Sequence, residues 1–566
     1  MSPQSKNSLN HSITSFNEFL QCADYSLINY LNADPDSTQN GNDHSARQVF
    51  SGHFVPVKPT PLKDADYVIH SQRFFDEIGL SDSLVKDQDF IKMFSGDLSS
   101  ADVKCPFGWA TGYALSIYGT EYIRQCPFGT GNGYGDGRAI SVFEGLLNGK
   151  RWEMQLKGSG PTPYCRGGDG RAVLRSSVRE FLAQEFMYAL GIPTTRSLTL
   201  FVSRSQMVMR PWYSEHSTSH EPDIVTENPV SITTRVASSF LRVGQLELFA
   251  RRAYNRAHPR AMEELNMIVS HLIDREYKNS IDLTLSFTNQ LVELSFLFQD
   301  RLTSLVANWL RVGFCQGNFN SDNCTVGGFT LDYGPFGFCE LFDPNFQPWI
   351  SGGRHFSFFN QPVAAEANFN MFWKSLRILL LDDADALQRF DQSRQQFKQT
   401  MRLKIQAVWT SKLGLVRYDH QLCQRLLQLL SYSRVDYTIF FRELSNLPRN
   451  LSGLKKSFYD SLPKTLENQW LSWLNDWYKV VTSKRNIYEI SQQMKQTNPK
   501  YTWREWLVVP AYEQATQGDY KLIREIHNVL SHPYDEQSKT IENKYYLLKP
   551  ESVFSIGGIS HYSCSS

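Results

Sequence analysis

The sequence predicts an α+β fold, with interleaved strands and helices in the middle of the chain and helices after them. Between about residues 100 and 345, glycine-rich turns separate short segments whose apolar residues alternate with a period of two, which is typical of strands. From residue 361 onward, apolar residues recur three and four positions apart, as in MFWKSLRILLLDDADALQRF, which is typical of helices. Hydrophobic residues make up 41% of the chain, enough to predict a folded protein.

At 566 residues the chain is too long for one ordinary core, so we expect several packed units. The predicted division is a polar N-terminal arm at 1–60, a core with the unusual motifs at 61–360, a mainly helical region at 361–550, and a flexible tail with a cysteine at 551–566. Within the 61–360 core, the polar stretch at residues 214–231 is predicted to be a surface insertion.

The charge of the chain is nearly balanced, with 58 Lys and Arg against 57 Asp and Glu. A net charge of +1 gives no field that would attract nucleic acid or an anionic membrane, and neither partner is expected. The N-terminal residues lack a signal-peptide pattern, and no window approaches the roughly 18 apolar residues of a membrane span. Nine scattered cysteines without CxxC pairs favour a reducing cytoplasm and no structural zinc.

The segment RWEMQLK, residues 151–157, alternates apolar and polar side chains and is predicted to be a half-buried strand. Lys157 ends its polar face beside the turn Gly158-Ser-Gly160. There its ammonium group is a point charge suited to a phosphate. Taken alone, a solvated lysine is the more usual role for such a residue.

A glycine-rich stretch, PFGTGNGYGDGR at residues 127–138, precedes this strand. Backbone amides without bulky side chains can surround phosphate oxygens. The stretch lacks the ending of a P-loop and opens into no helix, so a plain flexible loop is an equally good interpretation. A glycine loop followed about 20 residues later by a strand with a lysine nevertheless matches the order of parts in protein kinases.

A helix is predicted after Asp169-Gly170, through AVLRSSVREFLAQEFMYALGI. Asp169 is the predicted N-cap and Gly191 the predicted C-terminal stop. Glu180 lies in the middle of the helix, and no cation stands three or four positions away from it. Kinase-type sites use such a carboxylate to hold the phosphate-binding lysine, so we pair Glu180 with Lys157; a solvated surface glutamate is the alternative.

The strongest signal is GNFNSDNCTVGGFTLDYGP, residues 317–335. Asp322 and Asn323 precede a short β-patterned stretch that turns and brings Asp332 back to the same end. Mg²⁺ prefers carboxylate and amide oxygens together with substrate phosphates, so Asn323 and Asp332 are the predicted ligands and Asp322 is free to act as a base. The order resembles a kinase Asn followed by DFG, although HRD is absent. An Asx-rich turn between two strands is the alternative.

Two arginines in TRVASSFLRVG, Arg235 and Arg242, are further candidates. The planar fork of a guanidinium suits terminal phosphates. A structural ion pair is the commoner role for such residues.

Together, WEMQLKGSGPTPYCRGGDGRAVLRSSVREFLAQE, ALGIPTTRSL, RVASSFLRVG, NSDNCTVGGFTLDYGPFGF and the terminal SCSS resemble the selenoprotein O family, also called YdiU, over most of the chain from about residue 45. The resemblance implies a protein-kinase-like, two-lobed catalytic core. It implies a monomeric protein adenylyltransferase that moves AMP from ATP to Ser, Thr or Tyr hydroxyls of proteins and of itself. The metal would be Mg²⁺ or Mn²⁺, UTP is an alternative donor, and a role in redox stress is expected. A phosphoryl-transferring kinase and a regulatory pseudokinase remain the alternatives.

The resemblance also implies roles for individual residues. Asp322 would accept the proton, Asn323 and Asp332 would bind the metal, and Arg235 and Arg242 would hold the terminal phosphates. Cys165 replaces a frequent Ser of the family, and Cys564 stands where some members carry selenocysteine. The residues that would contact or support the nucleotide are Gly135, Gly137, Arg138, Lys157, Asp169, Gly170, Glu180, Arg235, Arg242 and Asp332.

Overall fold

The computed structural model describes residues 12–100, 105–111, 123–124, 126–131, 137–165, 168–483 and 485–561. Within these ranges the chain has the predicted α+β composition, with an antiparallel sheet and many helices. The strands β1 to β10 span Phe54–Val57, Ala65–His70, Gly108–Thr111, Ala139–Leu147, Lys150–Lys157, Ala172–Val173, Arg196–Trp212, Ile224–Ala237, Phe314–Gln316 and Phe336–Phe338.

The main sheet has the strand order β1-β3-β4-β5-β8-β7-β2, and β6 pairs with β8 outside that path. Every pairing in it is antiparallel. Strands β4 and β5 are joined by Asn148 and Gly149, whose φ angles are 46° and 74°. Two consecutive positive φ angles are what a tight two-residue hairpin requires, and Asn-Gly is the sequence that adopts them most easily. This hairpin fixes the register that carries Lys157 to the far end of β5.

Helices lie on both sides of this sheet and form most of the second half of the chain. Helices α1 to α17 span Phe16–Gln21, Ser26–Tyr30, Gln72–Ile78, Gln88–Phe94, Leu174–Ala189, Val243–Tyr254, Ala261–Leu272, Phe287–Val312, Gln361–Arg377, Ala384–Lys412, His420–Tyr432, Tyr437–Leu444, Lys464–Thr482, Ile487–Thr497, Glu505–Thr516, Lys521–Leu530 and Lys539–Tyr545. A π-helical turn, Ile273–Tyr277, continues α7.

Strand β5 is buried on both faces from Glu153 to Lys157, so the prediction of a half-buried strand was wrong for this part. Met154 and Leu156 pack into a core shared with α1, α3 and α4. Glu153 and Gln155 on the opposite face are equally inaccessible to solvent. The second face is closed by segments far away in the sequence, including Arg275 and Asp332, which no local pattern reveals.

The polar stretch at 214–231 is only partly an insertion. Strand β8 begins at Ile224, so the second half of the stretch belongs to the sheet, and only the connection from β7 to β8 is irregular. The described end of the chain contacts this connection, since the Gly557 amide donates to the Ser217 carbonyl at 2.9 Å. The His561 ring lies 2.7 Å from the carbonyl oxygen of Ser219.

Several helices after residue 361 share a core with earlier residues such as Leu310 and Phe342, and three tryptophans on one face of α13 lie in this core. Trp470, Trp473 and Trp477 are fully buried, and each indole N–H has a hydrogen-bond acceptor within 3.0 Å. This satisfies the polar end of each ring while its apolar surface packs.

The described residues include eight cysteines, all of them free thiols. Over the same part of the chain, none of the helices combines the length and the apolar character that a bilayer crossing demands.

Candidate active site

The centre of the site is the ammonium group of Lys157, which lies between two carboxylates. Its Nζ atom is 2.7 Å from Oε2 of Glu180 and 3.3 Å from Oδ1 of Asp332. The ion pair expected between Lys157 and Glu180 is therefore present, and neither residue is the solvated surface group that was its alternative. Asp332 lies 175 residues after Lys157 in the chain, so this contact joins the sheet to the 317–335 segment.

Glu180 is held by α5, whose apolar face packs into the core through Val178, Phe181 and Leu182. The helix stops where the sequence predicts, because Gly191 follows its last turn with a φ of 73°. The side-chain amide of Gln184, one turn later, donates to Oε1 of Glu180 at 3.3 Å. Glu180 thus presents one oxygen to Lys157 while neighbours contact the other.

Arg235 lies on β8 behind this pair and is completely buried. Its NH1 atom is 3.5 Å from Oε1 of Glu180, and its Nε donates to Oε1 of Gln155 at 2.8 Å. The Gln155 amide in turn donates to the hydroxyl of Ser141 at 3.2 Å, and Ser141 donates to Glu153 at 2.6 Å. A continuous polar chain therefore runs beneath the site from Glu153 to Lys157.

Glu153, at the inner end of this chain, is an unusual carboxyl group. Burial raises its pKa to about 7, and the neighbouring Arg275 only partly opposes that effect. Arg275 is itself tied to Glu144 and to the Ser238 carbonyl. The polar chain thus ends in a buried carboxyl group that titrates near neutral pH.

The 317–323 loop is shaped by its own asparagines. The Asn320 side chain accepts from the Asp322 amide at 2.9 Å and begins the 3₁₀ turn Ser321–Asn323. The Asn323 side-chain amide donates to the Asn318 carbonyl at 2.8 Å. The side-chain nitrogen of Asn323 is therefore hydrogen-bonded within the loop, and its side-chain oxygen is the atom that a metal would bind.

The segment returns as predicted, with a Cys324–Thr330 bridge and a turn in which Gly328 has a φ of 77°. The Thr330 carbonyl accepts from the Thr195 amide at 2.9 Å, which holds the returning arm against the start of β7. Oδ2 of Asp332 accepts from the Gly334 amide at 3.2 Å. Asp332 therefore has a fixed position next to Lys157.

Arg242 stands directly before α6 and beside the same loop. Its backbone pairs with that of Thr325, and the Val243 amide donates to the Cys324 carbonyl at 2.9 Å. The Arg242 side chain is buried. The structure thus brings both predicted arginines into the interior around the lysine and the loop.

The glycine-rich stretch is described only in part, and Gly135 lies outside the described residues. Gly137 is held close to the next segment, because its carbonyl accepts from the Thr162 hydroxyl at 2.5 Å and from the Cys165 thiol at 2.7 Å. A Cβ atom at this position would lie 2.4 Å from the Tyr164 carbonyl, which only glycine avoids. The carbonyl of Arg138 accepts from the Gly158 amide at 3.0 Å, so this end of the stretch lies beside the turn after Lys157.

Asp169 does not cap α5, which begins five residues later at Leu174 with Val173 as its N-cap residue, so that prediction was wrong. Its carboxylate instead contacts Arg210 at 2.6 and 2.8 Å and accepts from the Arg171 amide. Partial burial opposes ionisation, but the bonds to Arg210 outweigh it and hold the pKa of Asp169 below its ordinary value. Gly170 has a φ of 65°, and a Cβ there would lie 2.0 Å from the Gly160 carbonyl.

The predicted metal ligands form a donor set that fits Mg²⁺. Asn323 and Asp332 offer one amide and one carboxylate oxygen, and a site of this kind is completed by substrate phosphates and water. Within the described ranges no cluster of three or more His, Cys, Asp or Glu side chains forms a metal site of protein ligands alone. A metal bound by Asn323 and Asp332 would take its remaining ligands from substrate phosphates and water.

Sequence reasoning missed the supporting residues Gln155, Gln184 and Arg210. Gln155 precedes Lys157 by two positions on a strand, so the period of two was a usable signal that both face the same side. Arg210 lies on β7, 41 residues after Asp169, and nothing local marks it as a partner.

Comparison with known proteins places the chain in a family. A family model described as "Protein adenylyltransferase SelO" matches residues 42–531. A protein nucleotidyltransferase YdiU of Tolumonas auensis is 33% identical over 92% of this chain and 95% of its own length. The YdiU of Flavobacterium johnsoniae is 31% identical over 95% of this chain and 98% of its own.

The matched region contains every predicted site residue from Gly135 to Asp332. A YdiU of Xanthomonas axonopodis pv. citri, 32% identical, covers 96% of this chain and 99% of its own length, so the similarity extends over the helical region as well. On this evidence the chain belongs to the SelO family.

Proposed function

We propose that this protein transfers AMP from ATP to Ser, Thr or Tyr hydroxyl groups of proteins, with Mg²⁺ or Mn²⁺ as the required metal. The observation that carries the proposal is the position of Lys157, whose ammonium group lies 2.7 Å from Glu180 and 3.3 Å from Asp332. A lysine, its supporting carboxylate and a metal-binding carboxylate are the parts that phosphate-transfer sites of the kinase type bring together. Family membership supports the choice of AMP as the transferred group.

The same observations support a kinase-like, two-lobed core. The lysine lies on a strand of an antiparallel sheet, its glutamate on the following long helix, and the Asn323 and Asp332 pair on a loop beyond α8. That order is the order of the corresponding parts in protein kinases. The loop differs from the catalytic loop of protein kinases because it lacks an HRD sequence. Here the acidic residue Asp322 stands directly before Asn323.

In the proposed reaction Asp322 accepts the proton of the acceptor hydroxyl. The hydroxyl oxygen forms a bond to the α-phosphorus of ATP, the bond from that phosphorus to the bridging oxygen breaks, and pyrophosphate leaves. Lys157, Arg235 and Arg242 neutralise the phosphate charge, which is the main contribution that a protein makes to transfer at phosphorus. Mg²⁺ held by Asn323 and Asp332 would supply further neutralisation of the phosphate oxygens.

Labelled ATP separates this proposal from its alternatives. We expect label from the α-phosphate on a protein acceptor, including the enzyme itself, and none from the γ-phosphate. A γ-label alone would identify a kinase. Nucleotide binding without any label transfer would identify a regulatory pseudokinase.

The first prediction concerns Asp332→Ala, which removes a metal ligand and a partner of Lys157. We expect transfer to fall by at least about 100-fold and nucleotide binding to lose its dependence on the metal. The measurement is α-label incorporation with and without Mg²⁺. Asp300→Ala is the matched control, because Asp300 is an exposed residue of α8 that pairs with Lys404 on the surface and should keep full activity. A fully active Asp332→Ala protein would remove the metal assignment.

A further inference from the structure

A cleft of about 460 Å³ lies between α6 and α9, next to the start of the glycine-rich stretch. Glu247, Ala250, Arg251 and Tyr254 line one wall, at helical spacing on one face of α6. Ala367, Asn370, Met371 and Lys374 line the other with the same spacing on α9. Positions i, i+3, i+4 and i+7 share one side of a helix, so two complete helix faces border the cleft.

Both walls are attached to the candidate active site. Helix α6 begins immediately after Arg242, and Glu247 to Arg251 lie about 8 to 14 Å further along its axis at 1.5 Å per residue. Helix α9 is bonded to the 317–323 loop, because the Asn368 side chain donates to the Phe319 carbonyl at 2.9 Å. Phe319 precedes Asp322 by three residues. The two helices that line the cleft are therefore connected to segments that carry residues proposed for the site, one directly after Arg242 and the other through the 317–323 loop.

The charge of the lining is positive. Arg124, Arg251 and Lys374 contribute three cations, and Glu247, which pairs with Arg251 at 2.9 Å, is the one acidic residue named among the lining groups described here. Arg124 and Lys374 are exposed to solvent. Asn370 on the α9 wall is itself bonded to a further cation, since its side-chain oxygen accepts from Arg394 at 2.9 Å. The whole chain carries a net charge of only +1, so this is a local feature.

We propose that this cleft binds an acidic segment of the protein substrate and selects acceptor hydroxyl groups that have Asp or Glu nearby. The proposal rests on the AMP transfer proposed above and names the class of substrate for the same site. An extended chain advances about 3.3 to 3.6 Å per residue, so acidic residues two to four positions from the acceptor can lie up to about 14 Å away from it. Charges of this kind mainly speed the encounter and discriminate between partners.

Two peptides test the proposal directly. Each contains one serine, with Glu at positions two to four on one side in the first peptide and Gln at those positions in the second. With α-labelled ATP, we expect the wild-type protein to use the Glu peptide with a kcat/KM about five- to tenfold higher, and the preference to shrink as salt is added. Equal use of both peptides at low salt would overturn the proposal.

Charge reversal in the cleft supplies the second arm. Lys374→Glu should abolish the preference for the Glu peptide while leaving transfer to the Gln peptide within about twofold, since Lys374 is exposed and contacts no proposed catalytic group among the described residues. The matched control is Lys479→Glu, which makes the same change in net charge at an exposed position of α13 and should keep the preference. An identical preference in both variants contradicts the proposal. A competition experiment gives a further check, in which a short RNA oligonucleotide or a poly-Glu peptide is added to the Glu-peptide reaction. Inhibition by the RNA but not by poly-Glu also contradicts the proposal.

The outcome is distinguishable from failure of the proposed function. If no α-label reaches either peptide or the protein itself, the proposal of AMP transfer is wrong, and the assignment of a protein substrate to the cleft fails with it. If label reaches both peptides equally, the AMP transfer stands and the assignment of the cleft is wrong. Unfolding midpoints of the two lysine variants check that a change in preference does not come from partial unfolding.

Discussion

Two buried lysines of this protein differ in what surrounds the ammonium group. Lys157 faces the carboxylates of Glu180 and Asp332. Lys412, in the helical region, donates instead to the Arg311 carbonyl at 2.7 Å and to the Asn498 side-chain oxygen at 3.2 Å. Its Nζ atom also lies 3.8 Å from the centre of the Phe441 ring.

The difference has electrostatic consequences. Burial lowers the pKa of Lys412 well below its ordinary value, and the positive charge of Arg311 lowers it further. Among the described residues, no carboxylate lies within ion-pair distance of Lys412, whereas Lys157 has two. A buried lysine that packs between helices needs only oxygen acceptors. The ammonium group of Lys157, in contrast, faces two carboxylates, and a phosphate-binding lysine of the kinase type is likewise held by a glutamate.

The largest expected effect comes from Lys157→Met, which removes the charge but keeps much of the volume. We expect AMP transfer per folded molecule to fall by about 100- to 1,000-fold, because the phosphates lose a preorganised cation. The measurement is kcat/KM for labelled ATP, corrected for the folded fraction by thermal unfolding. Lys412→Met is the matched control and should retain transfer per folded molecule. Equal losses in the two variants would erase the distinction between the lysines.

A smaller effect is expected from Gln155→Leu, which interrupts the polar chain that runs beneath the site from Glu153 to Lys157. Gln155 is fully buried and accepts from Arg235 at 2.8 Å, so we assign it as a positioning residue that acts through Arg235. We expect the KM for ATP to rise about tenfold with kcat changed much less, because Arg235 would lose its orientation toward the terminal phosphates.

Gln299→Leu serves as the control for that variant. Gln299 is a buried amide of α8 bonded to the Ser393 carbonyl, away from the sheet, and its loss should affect stability alone. A rise in KM for Gln299→Leu equal to that for Gln155→Leu would show that the effect is structural.

The smallest effect on activity, and the clearest on stability, is expected from Lys412→Met. Two buried oxygen acceptors lose their donor, and we expect the free energy of unfolding to fall by roughly 1 to 3 kcal/mol. The lysine titrates at a lower pH in the folded than in the unfolded chain, so the unfolded chain binds more protons between the depressed pKa and 10.5. The stability of the wild-type protein should therefore gain a contribution as pH rises through that interval.

That contribution is absent when residue 412 is Met. Denaturant unfolding of both proteins at a series of pH values measures it, and the stability difference between wild type and variant should widen as pH increases. A difference that stays constant over the whole interval contradicts the pKa assigned to Lys412.

Local patterns in the sequence predicted much of the local structure that carries the candidate site. The alternation of 151–157 gave the strand of Lys157, helical spacing gave Glu180 on α5, and the Gly327-Gly328 turn brought Asp332 back toward Asp322. These features depend on neighbours within a few residues, which is the range over which periodicity and turn chemistry act.

Features that depend on distant segments were not predictable in this way. The polar face of β5 is buried because Arg275 and Asp332 close it, and Asp169 pairs with Arg210 instead of capping a helix. Likewise, the cations at Arg251 and Lys374 share a cleft because α6 and α9 pack side by side, although more than 100 residues separate them in the chain. Such contacts follow from tertiary packing and leave no local periodicity.

The most direct test is a crystal structure with Mg²⁺ and a non-hydrolysable ATP analogue. We expect one triphosphate with its metal bound by Asn323 and Asp332, and with Lys157, Arg235 and Arg242 in contact with phosphate oxygens. A nucleotide bound in another part of the molecule, with the Lys157–Asp332 pair undisturbed and no metal at Asn323, would contradict it.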